Sequence, residues 1–162
     1  SFDSFRRATY LAMMAFMFVG GASGSTAGGI KVNSVAVIWS YLRSVRRGSQ
    51  DAILFLHRVT RRQIGSAFSV LLFGVAAIFL GTLVLSISEP FPLLEITFES
   101  VSAFATVGLS PGITGGLSLT GRFVIILLMF IGRVGPLTLL SASSSEEERL
   151  RVRYPTADIS VG

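Results

Sequence analysis

Three long stretches of the sequence carry almost no charge, and this feature constrains the fold most strongly. Residues 8–30 and 64–88 hold no charged side chain over 23 and 25 residues, and residues 123–145 hold only Arg133. A helix of about 18 or more such residues is long enough to cross a membrane. The sequence therefore predicts an all-α polytopic membrane protein and argues against a soluble globular enzyme or a disordered chain.

The first stretch follows two arginines and could be mistaken for a signal peptide. The sequence begins with Ser1 rather than Met, and two more apolar stretches follow it. We therefore interpret the first stretch as a membrane segment of a longer protein.

The charged residues predict how these stretches are oriented. Between the first two lie six arginines with Asp51 as the only acid: Arg43, Arg46, Arg47, Arg58, Arg61 and Arg62. Three more arginines follow the third stretch, whereas three glutamates, Glu89, Glu95 and Glu99, lie between the second and third. The positive-inside rule places residues 43–62 and the C-terminal tail in the cytoplasm, and residues 89–121 outside.

The first segment is too long for one straight span. Residues 8–42 form 35 residues with Lys31 as the only charge, which as a helix would extend ~52 Å against a hydrocarbon core of ~30 Å. Five glycines fall within residues 20–29, and each costs a helix about 1 kcal/mol relative to alanine. We predict two helical halves, ending at Val19 and restarting at Ile30, with a loop at membrane depth. Close packing of helices through small residues is the alternative.

A short helix and a glycine-containing return follow the second stretch. Pro90 and Pro92 end that span, and residues 93–105 predict a helix of about 20 Å, too short to cross. The segment Thr-Val-Gly-Leu-Ser at residues 106–110 comes next. Ser118 or Thr120 is predicted to cap the last span. This order indicates a re-entrant helix and loop between two spans.

Such a layout suits a cation pore. The C-terminal end of a helix carries roughly −0.5 charge, and loop carbonyls after it can replace the hydration shell of an ion. Gly108 permits the turn, and Thr106 adds a hydroxyl oxygen. An ordinary outside loop containing a glycine is the alternative interpretation.

Two charged residues are candidates for roles beside this pore. Glu99 lies seven residues before Thr106 and is predicted to brace the loop from behind. Arg133 follows Arg122 by 11 residues, or ~16 Å along a helix, which places it near mid-membrane. An arginine there usually faces a bundle interior or water. We predict that it repels cations and holds the glycine-rich loop closed, with a structural clamp as the alternative. Glu89 and Glu95 are expected to be solvated.

Three segments together resemble the Trk/Ktr/HKT family of potassium transporters. Residues 18–31 resemble its intramembrane loop, residues 98–110 its fourth pore helix and filter, and residues 129–138 its last inner helix. The match is most similar to the bacterial Ktr-type membrane subunit. Family members carry four span–pore helix–span repeats around one ion path. The resemblance implies three parts: an inner helix of repeat three with its cytoplasmic linker (1–62), a complete fourth repeat (63–145) and a cytoplasmic tail (146–162).

The resemblance also implies which residues act and with what partners. It implies potassium uptake across a bacterial inner membrane, with K⁺ as substrate, and it leaves Na⁺ coupling open. The implied filter residues are Thr106, Val107, Gly108, Leu109 and Ser110, supported by Glu99. The implied gate consists of Arg133 and the glycine-rich loop: Gly20, Gly21, Ala22, Ser23, Gly24, Ser25, Thr26, Ala27, Gly28 and Gly29.

The expected partners are a second copy of the subunit, membrane lipid, and a cytosolic nucleotide-binding regulatory ring of the regulator-of-K⁺-conductance type. We expect no bound cofactor, no resident metal, no nucleic acid and no enzymatic activity. Two alternatives remain at this point: a two-span subunit of a tetrameric cation channel, and a non-conducting membrane scaffold subunit. The gating ligand and the cation preference depend on parts of the protein beyond these residues.

Overall fold

The computed structural model describes residues 2–22, 27–48, 52–54 and 57–135. Within them the chain forms five α-helices, a two-stranded hairpin and one short 3-10 turn at Thr114–Gly116. The helices are α1 (Phe2–Phe18), α2 (Val32–Arg46), α3 (Arg61–Ser88), α4 (Leu93–Ala105) and α5 (Leu119–Val134). The strands are β1 (Ile53–Leu54) and β2 (His57–Arg58). The fold is therefore almost wholly helical, as the apolar stretches predict.

The predicted break in the first segment is confirmed. Helix α1 ends at Phe18 and α2 begins at Val32, and Val19 forms an isolated parallel bridge with Ile30 between them. The Gly20 N–H donates to the Ile30 carbonyl at 2.7 Å, and the Val32 N–H donates to the Gly21 carbonyl at 3.3 Å. The two limbs of the glycine-rich segment thus lie side by side at its base. Residues 23–26 of that segment lie outside the described part of the chain.

Helix α3 is the one described helix long and apolar enough to cross a membrane, with 28 residues, or about 42 Å. A capping box begins it, in which the Thr60 side chain accepts from the Gln63 N–H and the Gln63 side chain accepts from the Thr60 N–H. It ends at Ser88, before Pro90, as predicted. Along its length Gly74 and Gly81 are buried where other elements cross it.

Helix α4 is the centre of the packing. Of its 13 residues, nine are buried, among them Phe104 with no exposed surface. Helices α1, α3 and α5 all contact it. At one crossing, a Cβ on Gly132 of α5 would overlap the Phe104 carbonyl, so the two backbones touch directly. At another, the Tyr10 and Phe98 rings lie 5.0 Å apart between centroids.

The outward faces of these helices are apolar. Large hydrophobic side chains of α3 and α5 lie exposed, including Leu72, Phe79, Ile87, Phe123, Ile126 and Phe130. A helix with apolar residues on several faces is typical of one that meets lipid or further helices rather than water. The described chain thus has the surface of a membrane segment.

The small hairpin is a feature that the sequence analysis missed. Strand β1 pairs antiparallel with β2, with Ile53 opposite Arg58. The Ser40 hydroxyl of α2 donates to the Ile53 carbonyl at 2.8 Å, which ties the hairpin to α2. Two-residue strands are too short to leave an alternating pattern in the sequence, so the all-α prediction overlooked them.

Candidate functional site

The C-terminal end of α4 has an unusual backbone. Thr106 lies in the left-handed region (φ 55°, ψ 33°) and is the only non-glycine residue with positive φ in the described chain. Two hydrogen bonds close the helix around it, from the Thr106 N–H to the Ala103 carbonyl and from the Val107 N–H to the Ser102 carbonyl, at 3.0 and 3.1 Å. This is a Schellman end, in which glycine is the usual residue. A β-branched residue there costs about 1–3 kcal/mol, and such strain concentrates at functional sites.

The segment predicted as the filter continues from this point without regular structure. Gly108 has φ 84°, a conformation that other residues rarely adopt, and nothing lies within 4 Å of where its Cβ would be. Val107 and Leu109 are 47% and 49% exposed. The backbone of residues 107–110 therefore follows the end of α4 along an open surface of the described chain.

Glu99 supports this segment from behind, at the position that the sequence predicted. The residue is 5% exposed. Its Oε2 accepts from the Ser110 hydroxyl at 2.8 Å, and its Oε1 accepts from the Thr114 hydroxyl. The Ser110 oxygen in turn accepts from the Gly112 N–H at 3.0 Å. One buried carboxylate on α4 thus holds both the last predicted filter residue and the turn that follows it.

The glycine-rich segment reaches the other side of the α4 terminus. The Gly28 N–H donates to Thr106 Oγ1 at 2.9 Å, across 78 positions of sequence. A Cβ on Gly28 would lie 2.5 Å from that oxygen and 3.0 Å from the Ala105 carbonyl oxygen. The Lys31 ammonium donates to the Ala27 carbonyl and closes this limb. The sequence predicted both segments, but nothing in it indicated that the Gly28 N–H contacts Thr106.

Arg133 lies in the last turn of α5 and is exposed. It directly follows Gly132, where α5 touches the Phe104 carbonyl, so it lies close along the chain to the α4 terminus. The helix ends one residue later, with Gly135 at φ 86°. The loop that Arg133 is predicted to hold closed includes Ser23, Ser25 and Thr26, which lie outside the described residues, so this contact stays a prediction.

The expectation that Glu89 is solvated is wrong. The residue is 6% exposed and caps the start of α5. Its carboxylate accepts from the Ser118 hydroxyl, from the Ser118 N–H at 3.1 Å and from the Ser88 hydroxyl at 3.3 Å. The bond from the Ser118 hydroxyl is the main reason that the pKa of Glu89 lies below its usual value. The predicted cap at Ser118 is confirmed. Its pairing with Glu89 is not evident from the sequence, because it depends on α3 and α5 being neighbours.

The arrangement offers oxygen atoms rather than a metal-binding cluster. In the described residues no group of three His, Cys, Asp or Glu side chains could hold a metal ion. The Ser102 and Ala103 carbonyls accept from the Val107 and Thr106 N–H groups, and α4 then ends with the Phe104 and Ala105 carbonyls, next to Thr106. Neutral oxygens at the negative end of a helix suit a monovalent cation that is held loosely.

Residues 1–150 match the TrkH family, described as a cation transport protein. The chain therefore belongs to this family of cation transporters, and the predicted membership is confirmed. Among its relatives, the Ktr system potassium uptake protein B of Bacillus subtilis (strain 168) is 38% identical over 99% of this chain and 36% of the relative. The Ktr system potassium uptake protein D of the same organism is 35% identical over 95% of this chain and 34% of the relative.

A third relative, the potassium/sodium uptake protein NtpJ of Enterococcus hirae, is 34% identical over 92% of this chain and 34% of its own length. The chain thus spans about a third of the length of these curated relatives.

Proposed function

We propose that this chain forms part of the ion path of a potassium uptake transporter, in which residues 106–110 are one strand of the selectivity filter. The observation that carries the proposal is the α4 terminus, where a strained Thr106 lies between the carbonyl end of a buried helix and the glycine-rich segment. Family membership supports cation transport, and the names of two relatives specify potassium. They support a transporter rather than an enzyme.

The chemistry of the segment favours K⁺ over a divalent ion. Its oxygens are carbonyls and a hydroxyl, which bind a monovalent ion without neutralising it. The helix end adds roughly half a negative charge. Glu99 holds Ser110 from behind and so keeps the carbonyl spacing fixed without contributing its charge to the path itself. The remaining filter strands, and any coupling to Na⁺ as the name of one relative suggests, belong to other parts of the full-length protein.

The glycine-rich segment at residues 20–29 is the proposed gate, together with Arg133. Gly28 of this segment contacts Thr106, which supports a position of the segment beside the proposed filter. Arg133 follows the helix contact at Gly132 and supplies a positive charge. A backbone segment and a cation near the filter would together oppose the passage of K⁺ until the segment moves.

The proposed surroundings of this chain are a membrane, the other repeats of the protein and two partners. The chain lies in a bacterial cell membrane, with residues 43–62 and 146–162 in the cytoplasm, as the positive-inside rule predicts. The inner helix of repeat three and a complete repeat four correspond to residues 1–62 and 63–145. A second copy of the subunit and a cytosolic nucleotide-binding ring complete the transporter, and K⁺ is its substrate with no bound cofactor. These partners follow from the family resemblance.

The filter assignment is tested at Gly108. In the full-length transporter in proteoliposomes, Gly108→Ser should weaken the apparent affinity for K⁺ by about tenfold, because φ 84° is costly for serine and the displaced carbonyl no longer faces the ion. Gly115→Ser is the matched control, since its Cβ position is open and the residue lies in the turn beyond the filter. An unchanged K⁺ affinity in a correctly inserted Gly108→Ser protein would falsify the assignment.

A further inference from the structure

The C-terminal end of α2 has one face that is fixed and one face that is exposed. On the fixed face Ser40 and Ser44 are buried, the Ser40 hydroxyl donates to the Ile53 carbonyl, and the Tyr41 ring meets the Phe68 ring of α3 edge-on at 5.9 Å. The exposed face lines a cavity of about 610 Å³, which we call the α2 cavity and which has six lining residues: Trp39, Leu42, Arg43, Val45, Arg46 and Arg47. This volume lies within the range of pockets that hold small ligands.

The lining of the α2 cavity combines apolar and cationic groups. Trp39 is 68% exposed, and Leu42 and Val45 are exposed as well. Arg43 follows Trp39 by one helical turn and Arg46 follows by two, so these side chains lie along the same side of the helix. A ligand that fits this lining needs an apolar part and a negative charge.

The backbone at the end of α2 is satisfied without help from the guanidinium groups. The Arg47 N–H donates to the Arg43 and Ser44 carbonyls at 3.2 and 3.1 Å, and the Gly48 N–H donates to the Val45 carbonyl at 3.1 Å. The carbonyls that arginine side chains often cap at a helix end are therefore already paired.

Three guanidinium groups at this cavity are available to a ligand. In the part of the chain that the structure describes, no hydrogen bond or ion pair engages the side chains of Arg43, Arg46 and Arg47. By contrast, the Arg122 side chain donates to two loop carbonyls. Residues 43–62 hold six arginines and a single acid, so this linker cannot neutralise them itself. Three full positive charges outweigh the roughly −0.5 charge of the helix end, and guanidinium groups pair with phosphate through two parallel hydrogen bonds.

We propose that the α2 cavity binds an anionic phospholipid of the inner leaflet, with its phosphate on the three arginines and the start of its acyl chains against Trp39. The inference rests on the proposed orientation, which places residues 43–62 at the cytoplasmic surface, and it does not depend on the filter. Tryptophan is enriched at the membrane–water interface, and basic pockets on the cytoplasmic side of membrane helices suit acidic headgroups. The apolar lining favours a lipid over a soluble phosphate, which would need the arginines alone.

The test measures lipid binding to the full-length transporter in detergent. Native mass spectrometry follows the binding of phosphatidylglycerol, with phosphatidylcholine as the uncharged comparison. Arg46→Gln/Arg47→Gln should raise the phosphatidylglycerol concentration for half occupancy by about tenfold or more, because each arginine near an anionic headgroup adds about a factor of five. The matched control is Arg61→Gln/Arg62→Gln, which removes the same charge from the exposed start of α3, outside the cavity.

Two further measurements separate a lipid from a free phosphate. Trp39→Ala keeps every charge and should still weaken phosphatidylglycerol binding, whereas Phe123→Ala removes a similarly exposed ring of α5 and should not. Glycerol phosphate, which has the phosphate without acyl chains, should fail to displace the bound lipid. Displacement at equal concentration would overturn the lipid assignment in favour of a soluble anion.

The remaining outcomes separate this site from the proposed function. Equal phosphatidylglycerol binding by the unmodified protein and Arg46→Gln/Arg47→Gln would overturn the site and show that another part of the transporter or a protein partner covers the α2 cavity. Should that variant fail to insert, Arg46→Lys/Arg47→Lys keeps the charge, and Trp39→Ala decides alone. Potassium flux is measured in vesicles of each lipid. Absence of flux with selective phosphatidylglycerol binding intact would overturn the proposed function and leave the lipid site standing.

Discussion

The two sides of the α4 terminus are held by different chemistry. On the side of residues 107–118, buried carboxylates accept at least two hydrogen bonds each: Glu99 from Ser110 and Thr114, and Glu89 from Ser118 and Ser88. On the side of the glycine-rich segment, the described residues make one hydrogen bond to the α4 terminus, from Gly28 to Thr106, and Ile30 packs in the same buried cluster as Phe104. The first side is built from side chains whose loss leaves buried polar groups unpaired, and the second is built mainly from apolar packing and close backbone approach.

This difference explains which side can move. Breaking a carboxylate–hydroxyl contact in the interior leaves unsatisfied polar atoms and costs about 1–3 kcal/mol for each group. Releasing Gly28 from Thr106 frees one amide, which water or an ion path can solvate. We therefore expect the carboxylate side to hold the proposed filter and the glycine-rich segment to open. A third contact, where Gly132 of α5 touches α4, should stay fixed.

The largest expected effect is at Gly132. A Cβ there would overlap the Phe104 carbonyl, and a backbone atom cannot rotate away. Gly132→Ala should lower the free energy of unfolding by about 3 kcal/mol or more, the upper range for overpacking. Thermal unfolding in detergent measures it, with Gly65→Ala on α3 as a control whose Cβ meets nothing. Equal stability of the two variants would show that the crossing of α5 and α4 at Gly132 can move apart to admit a Cβ, which contradicts the expectation that this contact is fixed.

The second largest effect is expected at Glu99, and it tests what the carboxylate side contributes to stability and to ion preference. Glu99→Gln replaces one acceptor oxygen with a donor, so residue 99 can no longer accept from both the Ser110 and Thr114 hydroxyls, and one of these hydroxyls has to reorient. We expect a loss of about 2 kcal/mol in stability together with weaker discrimination of K⁺ over Na⁺. The preference is measured by ion competition in proteoliposomes. Glu95→Gln makes the same chemical change in the first turn of α4 and should leave the preference intact. Lost stability with unchanged preference would reduce Glu99 to a packing role.

Local signals in the sequence account for most of the helices. The predicted short helix at residues 93–105 agrees with α4 to the residue, because Pro92 sets its start and the turn at Thr106 sets its end. The start of α5 at Ser118 and the interruption after Phe18 were also predicted. Each rests on proline, glycine or a capping hydroxyl, whose effect on the backbone extends over only a few residues.

Features that depend on distant residues were not predicted. The Gly28–Thr106 bond joins positions 78 apart, and the Gly132–Phe104 contact requires the crossing of two helices. Neither leaves a periodic or local pattern. Glu89 was assigned to solvent because an acid after a span usually lies in water, yet the neighbouring start of α5 supplies donors that make burial favourable. The sequence predicts that Glu99 lies behind residues 106–110, but it does not indicate the partners Ser110 and Thr114.

The smallest expected effect is at Glu89, and it depends on pH. Hydrogen bonds led by the Ser118 hydroxyl hold the pKa of Glu89 below its usual value, so the folded protein binds this proton less readily than the unfolded chain. The stability that the carboxylate contributes is complete above the unfolded pKa and is lost as pH falls through the lower, folded value. The advantage of wild type over Glu89→Gln should therefore be constant at neutral pH and shrink as the pH falls below the ordinary pKa of a glutamate. It should be modest, since the glutamine oxygen still accepts from Ser118. Unfolding temperatures of both proteins across that range measure it, and an advantage that grows in acid would contradict the assignment of Glu89 as a charged cap of α5.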